Sequence, residues 1–161
     1  MKQKGFSLTE VTVALILLAI ISLFSAPQIM QKQRQDRLNS LESFIDKFHD
    51  INQEMMTHAK SQGVAEMPLA KLSELNIYVR LGTLALDDFN VEKAMGVQGL
   101  NLANIGPTEK PSLLIYLGKE KSPEQIKESG CFLSISRPSH GATSLAATTN
   151  KLTITKFYDY C

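Results

Sequence analysis

Glu10 is the residue most clearly indicated to have a functional role, because no other charged side chain lies between Phe6 and Gln31. The residues from Val11 to Ala26 are apolar apart from one threonine and two serines. If this segment crosses a membrane, its carboxylate costs a few kcal/mol, and such acids usually have a partner and a function. Glu10 is therefore predicted to pair with a specific cation.

The other side chains that could act in catalysis are scattered along the chain. His49 and His58 stand nine positions apart, so they lack the i, i+4 spacing of a metal-binding pair on a helix. We interpret them, together with His140, as surface or packing residues. The sequence shows no Ser, His and Asp order with supporting motifs and no glycine pattern typical of phosphate binding. We therefore expect no enzymatic activity and no cofactor.

One short acidic segment could bind a metal ion. It offers the clustered oxygen atoms that calcium prefers, from Asp87, Asp88, Asn90 and Glu92. Their spacing is not that of an EF-hand loop. We interpret the segment as a solvated acidic turn, with a calcium site as the alternative, and predict no metal site.

The overall charge is close to neutral, with 17 basic and 16 acidic side chains among 161 residues. Strong nucleic-acid binders usually show a basic patch or stripe, so we expect no nucleic-acid partner. The length corresponds to about one domain with an extension.

The apolar N-terminal segment is long enough to span a membrane. The 21 residues from Phe6 to Ala26 would measure about 31 Å as a helix, which is close to the hydrocarbon thickness of a bilayer. Lys2 and Lys4 precede the segment, so the positive-inside rule places the N-terminus in the cytoplasm and the rest of the chain outside.

Two ordinary interpretations of this segment remain open. One is a secretory signal peptide, but its candidate cut, after Phe24-Ser-Ala26, follows a bulky residue and meets Pro27 at once. The other is a plain single-pass anchor, which gives Glu10 no use.

The junction from Lys4 to Glu10 resembles the leader junction of type IV prepilins and related pseudopilins. In that family a short basic leader ends in Gly, the next residue is Phe or Met, and a Glu stands fifth after the cut. This chain matches at Gly5, Phe6 and Glu10, and again at Pro27, where the family has a helix-kinking proline. The resemblance implies that a prepilin peptidase cleaves between Gly5 and Phe6 and methylates the new amine of Phe6.

The same resemblance implies how the chain is divided and assembled. Residues 1–5 would be the leader, 6–27 the transmembrane and filament-core helix, and 28–161 a globular head. Cleavage removes Lys2 and Lys4 and leaves the Phe6 amine four residues from Glu10. In a filament the amine of one subunit can neutralise Glu10 of its neighbour, and either charge left alone in an apolar core is expensive.

The implied partners and locations follow from that assembly. The partners are other pilin subunits, the prepilin peptidase, an inner-membrane assembly platform and, before assembly, membrane lipid. The precursor would span the inner membrane once, and the mature subunit would stand in an extracellular filament for attachment, motility or DNA uptake.

Cys131 and Cys161 are the two cysteines of the chain. On the oxidising side of a membrane such a pair predicts a disulfide, with two free thiols as the alternative. The bond would close a loop of 31 residues, worth about 3.5–4 kcal/mol in the chain-entropy account. Type IV pilins similarly carry a C-terminal disulfide loop.

A long helix is predicted from Phe6 to about Ser61, with Gly63 as the stop. Its first half is apolar all round, Pro27 should bend or loosen it, and its second half carries an apolar stripe at spacings of three and four. The stripe consists of Leu38, Leu41, Phe44, Ile45, Phe48, Ile51, Met55 and Met56.

The rest of the chain predicts a small sheet. Strands are expected at 76–79, 112–117, 131–136 and 151–158. Short helices are expected at 68–75 and at 122–128, and segment 82–106 is expected to be loop with some short structure.

The predicted fold class is α+β. An antiparallel sheet of three or four strands would cover the apolar stripe of the long helix. This arrangement, with the disulfide loop, is the pilin fold that the resemblance implies.

A narrower resemblance is to pilins of the mannose-sensitive haemagglutinin type. It consists of Asp36-Arg37 ahead of Ser40-Leu-Glu42, and of Cys131 opening a late strand. The sequence is thus interpreted as a major or minor type IV pilin. The alternatives are a pseudopilin of a type II secretion system and a membrane-tethered periplasmic binding or enzymatic domain.

Overall fold

The computed structural model describes residues 7–106, 111–137 and 151–161. The predicted processing residues Gly5 and Phe6 lie outside the described residues. The chain divides into two compact units, one up to Arg37 and one from Leu38 to Cys161.

Helix α1 runs from Leu8 to Ser61 and is continuous through Pro27, which confirms the predicted long helix. Gly63 follows it with a positive φ of 69°, a conformation in which glycine ends helices without strain. Within the second unit the predicted stripe is confirmed. Its buried members are Leu41, Phe44, Ile45, Phe48 and Met55, and Leu38, Ile51 and Met56 are half-buried.

Two antiparallel sheets follow the helix, where the sequence predicted one. The first contains β1 (Ala70–Leu72), β2 (Ile77–Arg80) and β3 (Thr83–Leu84) in that order. The second contains β4 (Leu100–Ile105), β5 (Ser112–Leu117), β6 (Phe132–Ser136) and β7 (Thr153–Phe157), also in chain order. Two short helices complete the fold, α2 (Asp88–Met95) and α3 (Pro123–Ser129).

The prediction of a helix at 68–75 is wrong, because this segment forms β1 and a turn. Ala70 and Leu72 lie opposite Val79 and Ile77 of β2. Asn76 takes a left-handed conformation, and its N–H donates to the Leu72 carbonyl at 2.8 Å. An asparagine tolerates this conformation better than most residues, so the chain reverses here instead of continuing as a helix.

The prediction of a loop with some short structure at 82–106 underestimated the order of this segment, which contains β3, α2 and β4. Asp87 caps α2 by accepting a hydrogen bond from the Asn90 N–H, and Gly96 ends the helix with a positive φ of 54°. Strand β4 pairs with β5 over six residue pairs. That pairing determines β4, whose own sequence contains two asparagines and one alanine in six residues, residue types that are depleted in strands.

Strand β5 is the centre of the core because both of its faces are covered. On one face Leu113 and Ile115 join the main cluster with the α1 stripe, and on the other Leu114 and Tyr116 pack with Ile126 of α3. A strand buried on both faces has a continuous apolar sequence. The predicted α+β class, with a long helix and small antiparallel sheets, is confirmed.

Two contacts hold residues 160 and 161 against the segment that precedes β6. Cys131 and Cys161 form a disulfide with an S–S length of 2.08 Å, which confirms the predicted loop. Next to it the Tyr160 N–H donates to the Gly130 carbonyl at 3.2 Å. The Tyr160 ring lies directly over Gly130, where a side chain would collide with it.

Replacement of Gly130 by alanine is expected to destabilise the head by roughly 2–3 kcal/mol, because a left-handed alanine is strained and its Cβ meets the Tyr160 ring. Gly96 is the matched control, since it ends a helix with nearly the same φ and a Cβ added there would meet nothing within 4 Å. Gly96→Ala should cost only about 1 kcal/mol. Urea unfolding of the two variants makes the comparison, and equal losses would refute the role of the Tyr160 contact.

A salt bridge also joins β7 to α1 within the same unit. The Lys156 ammonium donates to both carboxylate oxygens of Glu42, at 2.8 Å and 2.7 Å. That hydrogen bond lowers the pKa of Glu42 from its usual value. Nearby, burial raises the pKa of Tyr158, so its phenol stays neutral. Both members of the ion pair are almost half exposed, so the pair adds little to stability.

Candidate functional site

The first unit exposes an unusually apolar helical surface. An 18-residue window of α1 has a mean hydropathy of 2.3, and none of it is buried within the protein. The exposed side chains include Leu8 at 86%, Leu15 at 62% and Met30 at 70%. By length and composition, α1 is the one helix among the described residues able to cross a membrane. A surface of this kind is stable only against lipid or other helices.

Two polar side chains within the described part of this surface are satisfied by the helix itself. The Thr12 hydroxyl donates to the Leu8 carbonyl and the Ser22 hydroxyl donates to the Leu18 carbonyl, both at 2.8 Å. Such hydroxyls need no further partner in an apolar medium, because the hydroxyl hydrogen already forms a hydrogen bond to a carbonyl of the same helix. Glu10 differs, because a carboxylate is charged as well as polar.

Glu10 takes part in capping its own helix. The Ser7 N–H donates to Glu10 Oε2 at 2.8 Å, and the Glu10 N–H donates to Ser7 Oγ at 3.3 Å. This reciprocal pair is a capping box, which satisfies two of the free N–H groups at a helix start. The sequence pattern Ser-Leu-Thr-Glu carries the signal for this box, and the prediction of a pairing role for Glu10 did not include it. The box holds the carboxylate at the positive end of the helix dipole.

Toward the described residues, one oxygen of Glu10 has no hydrogen-bond donor. Among the described residues only Oε2 of this carboxylate accepts a hydrogen bond. Beside it lies a shallow depression of about 340 Å³, lined by Thr9, Glu10, Val13, Ala14 and Leu17. The depression is mostly apolar with one anion at its edge, so its complement is a cation carried on an apolar group.

The predicted acidic segment serves the fold. Asn90 is buried, and its side chain accepts from the Tyr78 N–H at 2.7 Å and donates to the Tyr78 and Ala85 carbonyls. Asp87 caps α2, and Asp88 accepts a hydrogen bond from Asn104 at 3.0 Å. Among the described residues no group of three His, Cys, Asp or Glu side chains could hold a metal ion. Thus Asn90 fixes α2 against β2, a role invisible in the sequence.

Comparison with known families gives one match. Residues 1–26 match the family described as the prokaryotic N-terminal methylation motif. Comparisons with curated proteins and with solved structures give no match.

The matched segment contains Glu10 and the junction at Gly5 and Phe6, which confirms the prediction of a prepilin-type N-terminus. The motif supports a type IV pilin-like or pseudopilin-like protein with a membrane-anchored precursor. It points to a structural protein rather than an enzyme.

Proposed function

We propose that the chain is a subunit of a type IV pilus, made as a prepilin and assembled through the first part of α1. The observation that carries this proposal is the lone carboxylate of Glu10 at the start of an exposed apolar helix, within the methylation motif. A plain anchor would have no use for that carboxylate, whereas a polymer of identical helices supplies a cation for it.

The mechanism of assembly is charge pairing between subunits. Cleavage between Gly5 and Phe6 removes Lys2 and Lys4 and creates a methylated amine on the apolar Phe6 side of the cut. That group is a cation on an apolar residue, which is the complement of the depression beside Glu10. The amine of one subunit binds the carboxylate of its neighbour, which fixes the relative position of the two helices.

The proposed organisation follows from this role. Residues 1–5 are the leader, 6–27 the transmembrane and filament-core helix with Pro27 near its end, and 28–161 the head carried outside the membrane. Other pilin subunits, the prepilin peptidase and the inner-membrane assembly platform are the partners. The filament is extracellular, and attachment, motility or DNA uptake is its use.

Processing provides the first test of this function. The full chain is expressed in cells with and without prepilin peptidase, and the intact mass of the membrane-bound protein is measured. With the peptidase we expect loss of the first five residues and addition of one methyl group to Phe6. In cells without the peptidase the chain should keep Met1.

Two outcomes would contradict the proposal. A mature chain that begins near Pro27 would indicate a secretory signal peptide. An intact Met1 in both kinds of cell would indicate a plain anchor.

A further inference from the structure

We propose that Lys32, Arg34 and Arg37 bind the phosphate groups of anionic lipids at the outer face of the membrane before assembly. We call these three residues the basic collar. The inference rests on the proposed function, because it needs α1 to be inserted in a bilayer.

The collar directly follows the apolar surface of the same unit. That surface continues past Pro27 to Ile29 and Met30, which are 55% and 70% exposed. At the helical rise, Lys32 lies about 9 Å and Arg37 about 16 Å beyond Ala26, where the segment long enough to span the hydrocarbon ends. The headgroup layer on each side of a bilayer is about 5–8 Å thick. Because lysine and arginine side chains can extend back along a helix toward the membrane interface, the collar cations can reach the lipid phosphates.

The cations surround the helix. Arg34 and Arg37 are three residues apart and share one face, while Lys32 lies two residues before Arg34 and points to the opposite side. All three side chains are exposed. Asp36 is the one acid between residues 28 and 37, so the segment has a net charge of +2. Headgroups on every side of the helix can thus reach a cation.

The position of the collar disfavours the predicted orientation of the helix in the membrane. This cost indicates that the collar has a function. Lys2 and Lys4 precede the apolar segment, while three basic residues follow Ala26 within eleven positions. The positive-inside rule disfavours basic residues on the outer side near a membrane-spanning segment. An outer collar works against the insertion that the leader directs. Attraction to anionic headgroups compensates for it.

In the precursor, basic residues therefore bind lipid headgroups at both ends of the membrane-spanning helix. Before cleavage, Lys2 and Lys4 hold the inner end of the helix and the collar holds the outer end. Cleavage removes the inner lysines only. In the mature subunit the collar still binds lipid headgroups at the outer end of the helix. These contacts break when the subunit is extracted from the membrane into the filament.

Lipid selectivity of the reconstituted full chain tests the proposal. The chain is placed in phosphatidylcholine vesicles, and electron paramagnetic resonance compares the association of spin-labelled phosphatidylglycerol with that of spin-labelled phosphatidylcholine. One surface cation is worth about fivefold in lipid binding, so we expect at least about a fivefold preference for phosphatidylglycerol. Every chain in this experiment also carries Lys2→Gln and Lys4→Gln, so that the leader lysines do not contribute to the ratio. Against that background the triple variant Lys32→Gln, Arg34→Gln, Arg37→Gln should lower the ratio to about one. Glutamine keeps the helix, because its helix propensity is close to that of lysine and arginine.

A matched control removes the same charge elsewhere. Lys119, Lys121 and Lys127 are exposed on the head, in the second unit, and their triple replacement by glutamine should leave the preference unchanged. High salt should weaken the preference of the wild type.

The outcomes separate the collar from the proposed function. A chain that does not insert into the vesicles overturns both the collar and the proposed function. A chain that inserts but shows no preference, or whose preference survives loss of the collar, overturns the collar alone. If there is no preference but the collar variant fails to form filaments, the collar instead binds an acidic face of a neighbouring subunit, and the lipid proposal is refuted.

Discussion

Replacing Glu10 by glutamine is expected to reduce the amount of this chain in sheared surface filaments by at least about a hundredfold, since breaking a buried ion pair costs about 3–5 kcal/mol. The substitution keeps the size of the side chain and removes only its charge. The methylated amine of the neighbouring Phe6 would then be buried without a counter-ion. The measurement is the ratio of filament protein to membrane protein on an immunoblot.

The control for this variant is Glu54→Gln on the same helix. Glu54 is exposed, and among the described residues its ion-pair contact is the one with His58 at 3.8 Å, so its replacement should leave assembly unchanged. Membrane insertion and leader cleavage of the Glu10 variant should also remain normal, which separates assembly from biogenesis. Wild-type filament levels for Glu10→Gln, or for Glu10→Leu, would show that no charge pair directs assembly.

Loss of the disulfide is expected to have the largest effect on the stability of the head. The variant with both Cys131 and Cys161 replaced by serine should lose about 3.5–4 kcal/mol of unfolding free energy, because the bond closes a long loop and so restricts the unfolded chain. Strand β7 depends most on this closure, since it lies at the edge of the second sheet and pairs with β6 on one side. Urea unfolding followed by circular dichroism measures the loss.

The wild-type chain treated with a thiol reductant provides the control. Reduction should shift its unfolding midpoint to that of the serine variant, while the serine variant itself should not respond to reductant. If oxidised and reduced wild type unfold at the same urea concentration, the bond contributes nothing and the closure of the head has another cause.

The sequence predicted the elements whose signals are local. The α1 stripe repeats every three or four residues, and β5 is an apolar run between Pro111 and Gly118, so both were predicted correctly. Helix α3 was predicted from Ser122 and Pro123, and the structure shows the capping box at Ser122. In each case the residues that determine the element lie within it or at its ends.

The elements that were missed have weak local signals. Strand β1 is three residues long, and β4 contains two asparagines and one alanine, which are depleted in strands, so pairing with β2 and with β5 stabilises them. The same holds at the level of sites. Asn90 stands among acids, so the sequence predicted a solvated turn with a calcium site as the alternative, whereas its amide is buried and hydrogen-bonded to the backbone of Tyr78 and Ala85. Glu10 stands out in the sequence because its environment, an uncharged segment, is itself local, and its pairing role stays a prediction.

In the proposed filament this chain has lost its leader, and its amine at Phe6 faces a carboxylate. Mass spectrometry of the N-terminal peptide from sheared surface filaments tests this arrangement. We expect a peptide that begins with N-methylated Phe6. A peptide that begins at Met1, or at residue 27, in material from working filaments would contradict it.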